Sequence, residues 1–159
     1  MGRVSGPSID QILDSGDRIL LDASALLAYF SGIESASQVA TRLIDTYVSS
    51  GRNPAIVSAV NVMEILVRPL RRGAREPYEH VVDFLSRFPN LRVAQVDLAV
   101  AQEAASLRAA YNFSSPDALN IATGIIAQAG HLVTNDGQWK RKLQPIANRV
   151  AICTLSDYV

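Results

Sequence analysis

The chain has 159 residues, 48% hydrophobic and 19% charged, long enough to bury one sizeable core and to read as a single globular domain. Fifteen basic and fifteen acidic residues cancel, which argues against a basic nucleic-acid-binding tail or a polybasic membrane segment, and no apolar stretch approaches the roughly 20 residues of a transmembrane helix. One cysteine, Cys153, and two histidines, His80 and His131, exclude an intrachain disulfide and the multi-cysteine zinc frameworks, so any metal must be held by oxygen. The start, Met1 to Pro7, lacks the apolar core of a signal peptide, and a soluble, cytoplasmic protein is expected.

Residues 1–17 are rich in Gly, Ser and Asp around one apolar turn at Ile9, Ile12 and Leu13, and read as an N-terminal arm before a domain at 18–159. Ile19-Leu20-Leu21 is a continuous apolar run that stops at Asp22, as in a strand buried on both faces. Ala23 to Phe30 reads as helix. Ser35 to Ser50 carries Val39, Leu43, Ile44 and Val48 as a helical stripe ended by Gly51. Ala55-Ile56-Val57 is a second strand, and Ala59 to Arg68 a helix that holds Glu64 and is interrupted by Pro69. Glu79 to Phe88 is amphipathic, Leu91 to Val96 a third strand, and Asp97 to Tyr111 an Ala-rich helix. Ser115-Pro116 has the signature of a helix start, leading an apolar helix that ends near Gly130. His131 to Thr134 is a fourth strand, Asn135-Asp136-Gly137 a turn, Gln138 to Leu143 a short helix and Val150 to Leu155 a fifth strand. Strands alternating with helices imply an α/β fold, a five-stranded parallel sheet covered on both faces, because each parallel crossover needs a helix-sized connection.

The informative acids stand at strand ends or at the starts of the helices that follow. Asp22 ends strand one and Asp136 follows strand four; Glu64 lies on the helix leaving strand two, and Asp117 opens the helix running into strand four. Ligands of open α/β sheets bind at the carboxyl ends of strands where the strand order reverses, so these side chains are candidates for one crevice. Each also has an ordinary explanation. Asp22 and Ser24 suit a helix cap, Asp117 a first helical turn and Asp136 a turn, whereas Glu64 among apolar neighbours lies either on a narrow polar strip or in a pocket. Four carboxylates in one crevice repel one another unless a cation neutralises them, and oxygen-only ligation selects hard ions, chiefly Mg²⁺ or Mn²⁺. Such a site suits hydrolysis of a phosphodiester by activated water.

Leu-Leu-Asp22-Ala-Ser24-Ala-Leu, Asn61-Val-Met-Glu64-Ile-Leu, Ser-Pro-Asp117-Ala-Leu-Asn-Ile-Ala-Thr and Leu-Val-Thr134-Asn-Asp136-Gly-Gln-Trp139 resemble the motifs of PIN-domain ribonucleases, specifically VapC-type toxins. The order agrees with that family, as do the separations of 42, 53 and 19 positions between successive acids, and the resemblance covers residues 18–159. It implies a three-layer PIN-like fold with strand one central, bringing the ends of strands one and four together. By the same resemblance Asp22, Glu64, Asp117 and Asp136 are the metal-binding acids and Ser24 and Thr134 the hydroxyl supports. The implied activity is that of an Mg²⁺- or Mn²⁺-dependent endoribonuclease with an RNA substrate, a cognate antitoxin and a homodimeric state. Trp139 stands where an aromatic often follows the last motif, but reads first as a packing residue under the short helix.

The basic stretch Arg68, Arg71, Arg72 and Arg75 lies just beyond the Glu64 helix, where it suits an RNA backbone, an antitoxin's acidic tail, or simply solvent. His131 and Cys153 read as structural and His80 as a surface residue. A phosphorelay receiver is disfavoured by the single acid after strand one and by Lys140 and Lys142 being the only lysines; a nucleotide-binding domain, by the lack of a Gly-rich phosphate loop. The rival that stands is a non-catalytic metal-binding or protein-interaction module on the same scaffold.

Overall fold

The computed structural model describes residues 6–159. Its strands are β1 (Ile19–Leu21), β2 (Ala55–Ser58), β3 (Leu91–Ala94), β4 (His131–Thr134) and β5 (Ala151–Thr154), all parallel, in the order β3-β2-β1-β4-β5. The helices are α1 (Ile9–Ile12), α2 (Ala23–Ser31), α3 (Ser37–Arg42), α4 (Ala59–Arg71), α5 (Arg75–Arg87), α6 (Leu98–Tyr111), α7 (Ser115–Ile126) and α8 (Trp139–Lys142).

Side chains alternate across a strand, and here that alternation builds two cores. Ile19, Leu21, Ala55, Val57 and Val133 face the layer of α1 to α5, while Leu20, Ile56 and Leu132 face α6, α7 and α8. Both faces of β1 are therefore dry, which is why its three residues are apolar without interruption. The result is the expected three-layer α/β fold. From β1 the chain moves to β2 and β3 on one side, and α6 and α7 then carry it back across the other face to β4. The strand order thus reverses between β1 and β4, and a crevice opens at their carboxyl ends.

Close packing fixes α7 over this point. A Cβ placed on Gly124 would lie 2.9 Å from Cδ2 of Leu20, a fully buried side chain, so only glycine lets the helix approach β1 this closely. The amino end of the same helix carries Asp117 and Asn120.

Several boundaries differ from expectation. α4 runs two residues past Pro69: the missing N–H removes one bond near the helix end, and Arg72 N–H closes the last turn on the Arg68 carbonyl at 3.1 Å. α5 starts at Arg75 rather than Glu79, because Pro77 falls in its first turn, where no intrahelical donor is needed. The helix expected over 35–50 is α3 continued by a π-helical segment, Leu43–Val48. β3 stops at Ala94, and α7 at Ile126, where Gln128 rather than Gly130 takes the left-handed conformation. Before Arg18, Ile9 and Leu13 are buried in the core. Arg52 donates to the Asp10 and Leu13 carbonyls at 3.1 and 2.9 Å, and Asn53 to those of Asp14 and Asp17 at 2.8 and 2.9 Å. Within the N-terminal segment, residues 9–17 are thus held against the rest of the domain, and 1–5 lie outside the described residues.

Candidate metal centre

Asp22 occupies the cap position of α2, yet its side chain does not cap the helix. Its Oδ2 accepts instead from Ser24 Oγ and from Thr134 Oγ1, both at 3.0 Å, and its Oδ1 from Asn120 Nδ2 at 3.4 Å. The two hydroxyls are then free to accept from backbone amides, Ser24 Oγ from Asn135 N–H at 2.8 Å and Thr134 Oγ1 from Asp136 N–H at 2.9 Å. A carboxylate only 7% exposed is thereby satisfied, and the ends of β1 and β4 are tied through it. Asn120 is oriented in turn by Asn61, whose Nδ2 donates to Asn120 Oδ1 at 3.0 Å and reaches the Leu21 carbonyl at 3.4 Å.

The other three acids arrive from three more elements. Asp117 lies in the first turn of α7, its own N–H held by the Ser114 hydroxyl at 3.3 Å, and its carboxylate meets Lys142 Nζ at 3.1 Å. Asp136, in the loop after β4, accepts Gln138 N–H at 3.0 Å through Oδ1 and stays half-buried. Glu64 projects from α4 with no hydrogen-bond partner among the described residues, and is exposed as a residue. Asp22, Glu64, Asp117 and Asp136 all line one cavity of about 280 Å³, with Asn61 and Asn120 among its walls. Partial desolvation at this wall, and then the charges of Asp22 and Asp117, hold the Glu64 carboxyl above the usual range. Desolvation and the neighbouring acids thus both weigh on the Glu64 charge in this cavity.

The donor set is entirely oxygen, which fits a hard divalent ion and not zinc. Among the described residues no three of these acids converge closely enough to chelate an ion as they stand. Asn61, Asn120 and Lys142 are the wall residues to which the sequence alone assigned no role. Two of them had a signal: Asn61 precedes Glu64 by three positions and Asn120 follows Asp117 by three, one helical turn in each case.

Trp139 is 3% exposed and packs in the core beneath α8 while its ring borders the cavity. A second hollow of about 650 Å³, lined by Gly137, Gln138, Lys140, Arg141 and Lys142, adjoins the acid cavity and shares Lys142 with it. Arg68 and Arg71 follow Glu64 by one and two turns of α4, exposed, and with Arg72 they have no acidic partner among the described residues; Arg75 pairs with Glu79 at 2.8 Å. The histidines lie elsewhere. His131 begins β4, at the opposite edge of the sheet, with Nδ1 buried and unpartnered and burial pulling its pKa down; His80 is exposed on α5, its ring edge against Phe30. Cys153 is fully buried and its thiol is pushed up to about 12.

The sequence profile of the PIN domain matches residues 19–142. Comparison with curated protein sequences finds no match. Among solved structures the fold is similar to a toxin–antitoxin complex from Klebsiella pneumoniae, with TM-score 0.64 and 19% identity over 86% of this chain and 97% of that one. It is similar to VapC20 of Mycobacterium tuberculosis, a toxin that cleaves the sarcin–ricin loop, with TM-score 0.62 and 17% identity over 77% and 93% of the two chains. A third neighbour is VapBC2 of Rickettsia felis bound to a promoter DNA fragment, with TM-score 0.65 and 17% identity over 86% and 98%.

Proposed function

The chain belongs to the PIN domain family, and from that premise we propose that it is a metal-dependent endoribonuclease, the toxin of a toxin–antitoxin pair, acting in the cytoplasm. One observation carries the reading: four carboxylates from four separate elements line one cavity at the sheet's switch point, with the most buried of them clamped by Ser24, Thr134 and Asn120. Asp22, Glu64, Asp117 and Asp136 would hold Mg²⁺ or Mn²⁺. When bound, the ion lowers the pKa of a water and offsets the charge that develops on the scissile phosphate.

The protein's own part is orientation. Ser24 and Thr134 spend their protons on Asp22 and their lone pairs on the backbone of 135 and 136, so that one carboxylate rotamer is fixed before any ligand enters. Arg68, Arg71 and Arg72 beyond Glu64 on α4, and Arg141 in the adjoining hollow, offer cations for the phosphates on either side of the cut. His80 and His131 do not line the cavity, so no imidazole pair is placed to activate a ribose 2′-hydroxyl. Water attack leaves a 5′-phosphate and a 3′-hydroxyl. The resemblance to a toxin–antitoxin complex supports an antitoxin partner, and a homodimer is a further part of the proposal. Among the described residues no helix is long and apolar enough to cross a membrane.

The experiment is induced expression in a bacterial host followed by end-mapping of cellular RNA, with Asp22→Asn alongside. Growth arrest and discrete new 5′-phosphate ends that depend on Asp22 are expected. Unchanged RNA ends and unimpaired growth with soluble protein accumulating would overturn the proposal.

A further inference from the structure

One wall of the acid cavity is a cation. Lys142 ends α8, one turn after Trp139, whose burial in the core anchors that short helix. The helix is tied again at its other end, where Lys140 Nζ pairs with Asp157 at 2.6 Å. From this base the Lys142 side chain crosses the indole face of Trp139, with Nζ 4.9 Å from the ring centroid, and ends 3.1 Å from Asp117 Oδ2. Its side chain is 34% exposed and that of Asp117 24%, so the pair is screened less than a surface ion pair. The π-face adds an attraction that keeps the ammonium over the cavity.

We infer that Lys142 is a built-in counter-ion of the acid cavity, holding Asp117 in place of a divalent cation and thereby setting the cation concentration at which the site fills. This rests on the metal-centre reading above. A divalent ion at Asp117 and an ammonium 3.1 Å from its Oδ2 repel each other and compete for the same negative charge. Entry of the ion is therefore weaker while the pair is closed, and the apparent affinity falls with the fraction of molecules in which it is closed.

The test is calorimetric titration of the purified protein with MgCl₂ alone, no RNA being present, for the wild type, Lys142→Met, Lys142→Arg and Asp22→Asn, each first checked for native circular dichroism. Lys142→Met should bind Mg²⁺ about five-fold more tightly than wild type, while Lys142→Arg, which keeps the charge, should stay within about two-fold of it. Asp22→Asn should abolish the binding heat, marking the site. Lys142→Met binding with wild-type or weaker affinity, or Lys142→Arg matching its gain, would overturn the counter-ion role alone. A wild type with no binding heat, or heat that survives Asp22→Asn, would overturn the metal centre and this inference together.

Discussion

At the scale of the residue, Asp22 and Glu64 illustrate two ways of carrying a negative charge into one cavity. Asp22 is buried and fully supplied with donors, so its charge is held in place by the fold. Glu64 has no hydrogen-bond donor among the described residues, is partly desolvated and lies under the field of Asp22 and Asp117, so its charge is carried at a cost. In metal-free protein the folded state therefore keeps the Glu64 proton to a higher pH than the unfolded chain does. Between the ordinary glutamate value and the raised one the folded state binds more protons, and stability falls as pH rises through that window and stays lowered above it. Glu64→Gln removes the burden. In EDTA the variant should melt at a higher temperature than wild type at pH 7, with the difference closing as the pH falls below about 4, where glutamate is protonated in both states. A wild type equal to or more stable than Glu64→Gln at pH 7 would show that the acids do not repel as the geometry implies.

At the scale of the element, α7 does the positioning. Its amino end delivers Asp117 and Asn120, and its last turn lies close enough to β1 that a methyl group on Gly124 would press against Leu20. Gly124→Ala gains about 1 kcal/mol of helix propensity but overpacks a fully buried contact at about 1–3 kcal/mol, so the packing loss wins. Urea unfolding should register a net destabilisation of about 1 kcal/mol, and a stabilised variant would contradict the close approach. The strands and the four acids were legible before the structure, since apolar runs ending in an acid are local features and the switch-point rule gathers them. Ser24 and Thr134 became legible only through the family motifs. The Asn61–Asn120–Asp22 chain and the Lys142–Asp117 pair were not, because each joins residues brought together only by the fold. The continuation of α4 through Pro69 was missed because propensity counts the lost bond and ignores the packing of Ile65 and Leu66 that holds the helix down.

At the scale of the whole molecule, two dry cores clamp a sheet whose four-acid opening is at the carboxyl ends of β1 and β4. Two groups that titrate away from that opening do not line it: His131 is half-buried at the other edge, and the Cys153 thiol, pushed up to about 12, stays protonated. On the proposed function, this edge would cut RNA with a metal and water rather than with a ribose hydroxyl and imidazoles. The most direct measurement takes the purified protein with a labelled single-stranded RNA and Mg²⁺, with and without saturating EDTA, and identifies the ends of the products, with Asp22→Asn as the inactive reference. Cleavage that EDTA stops and Asp22→Asn lowers by at least about a hundred-fold, leaving 5′-phosphate and 3′-hydroxyl ends, is the expected result. Products ending in a 2′,3′-cyclic phosphate, or cleavage that persists in EDTA or in folded Asp22→Asn protein, would contradict it.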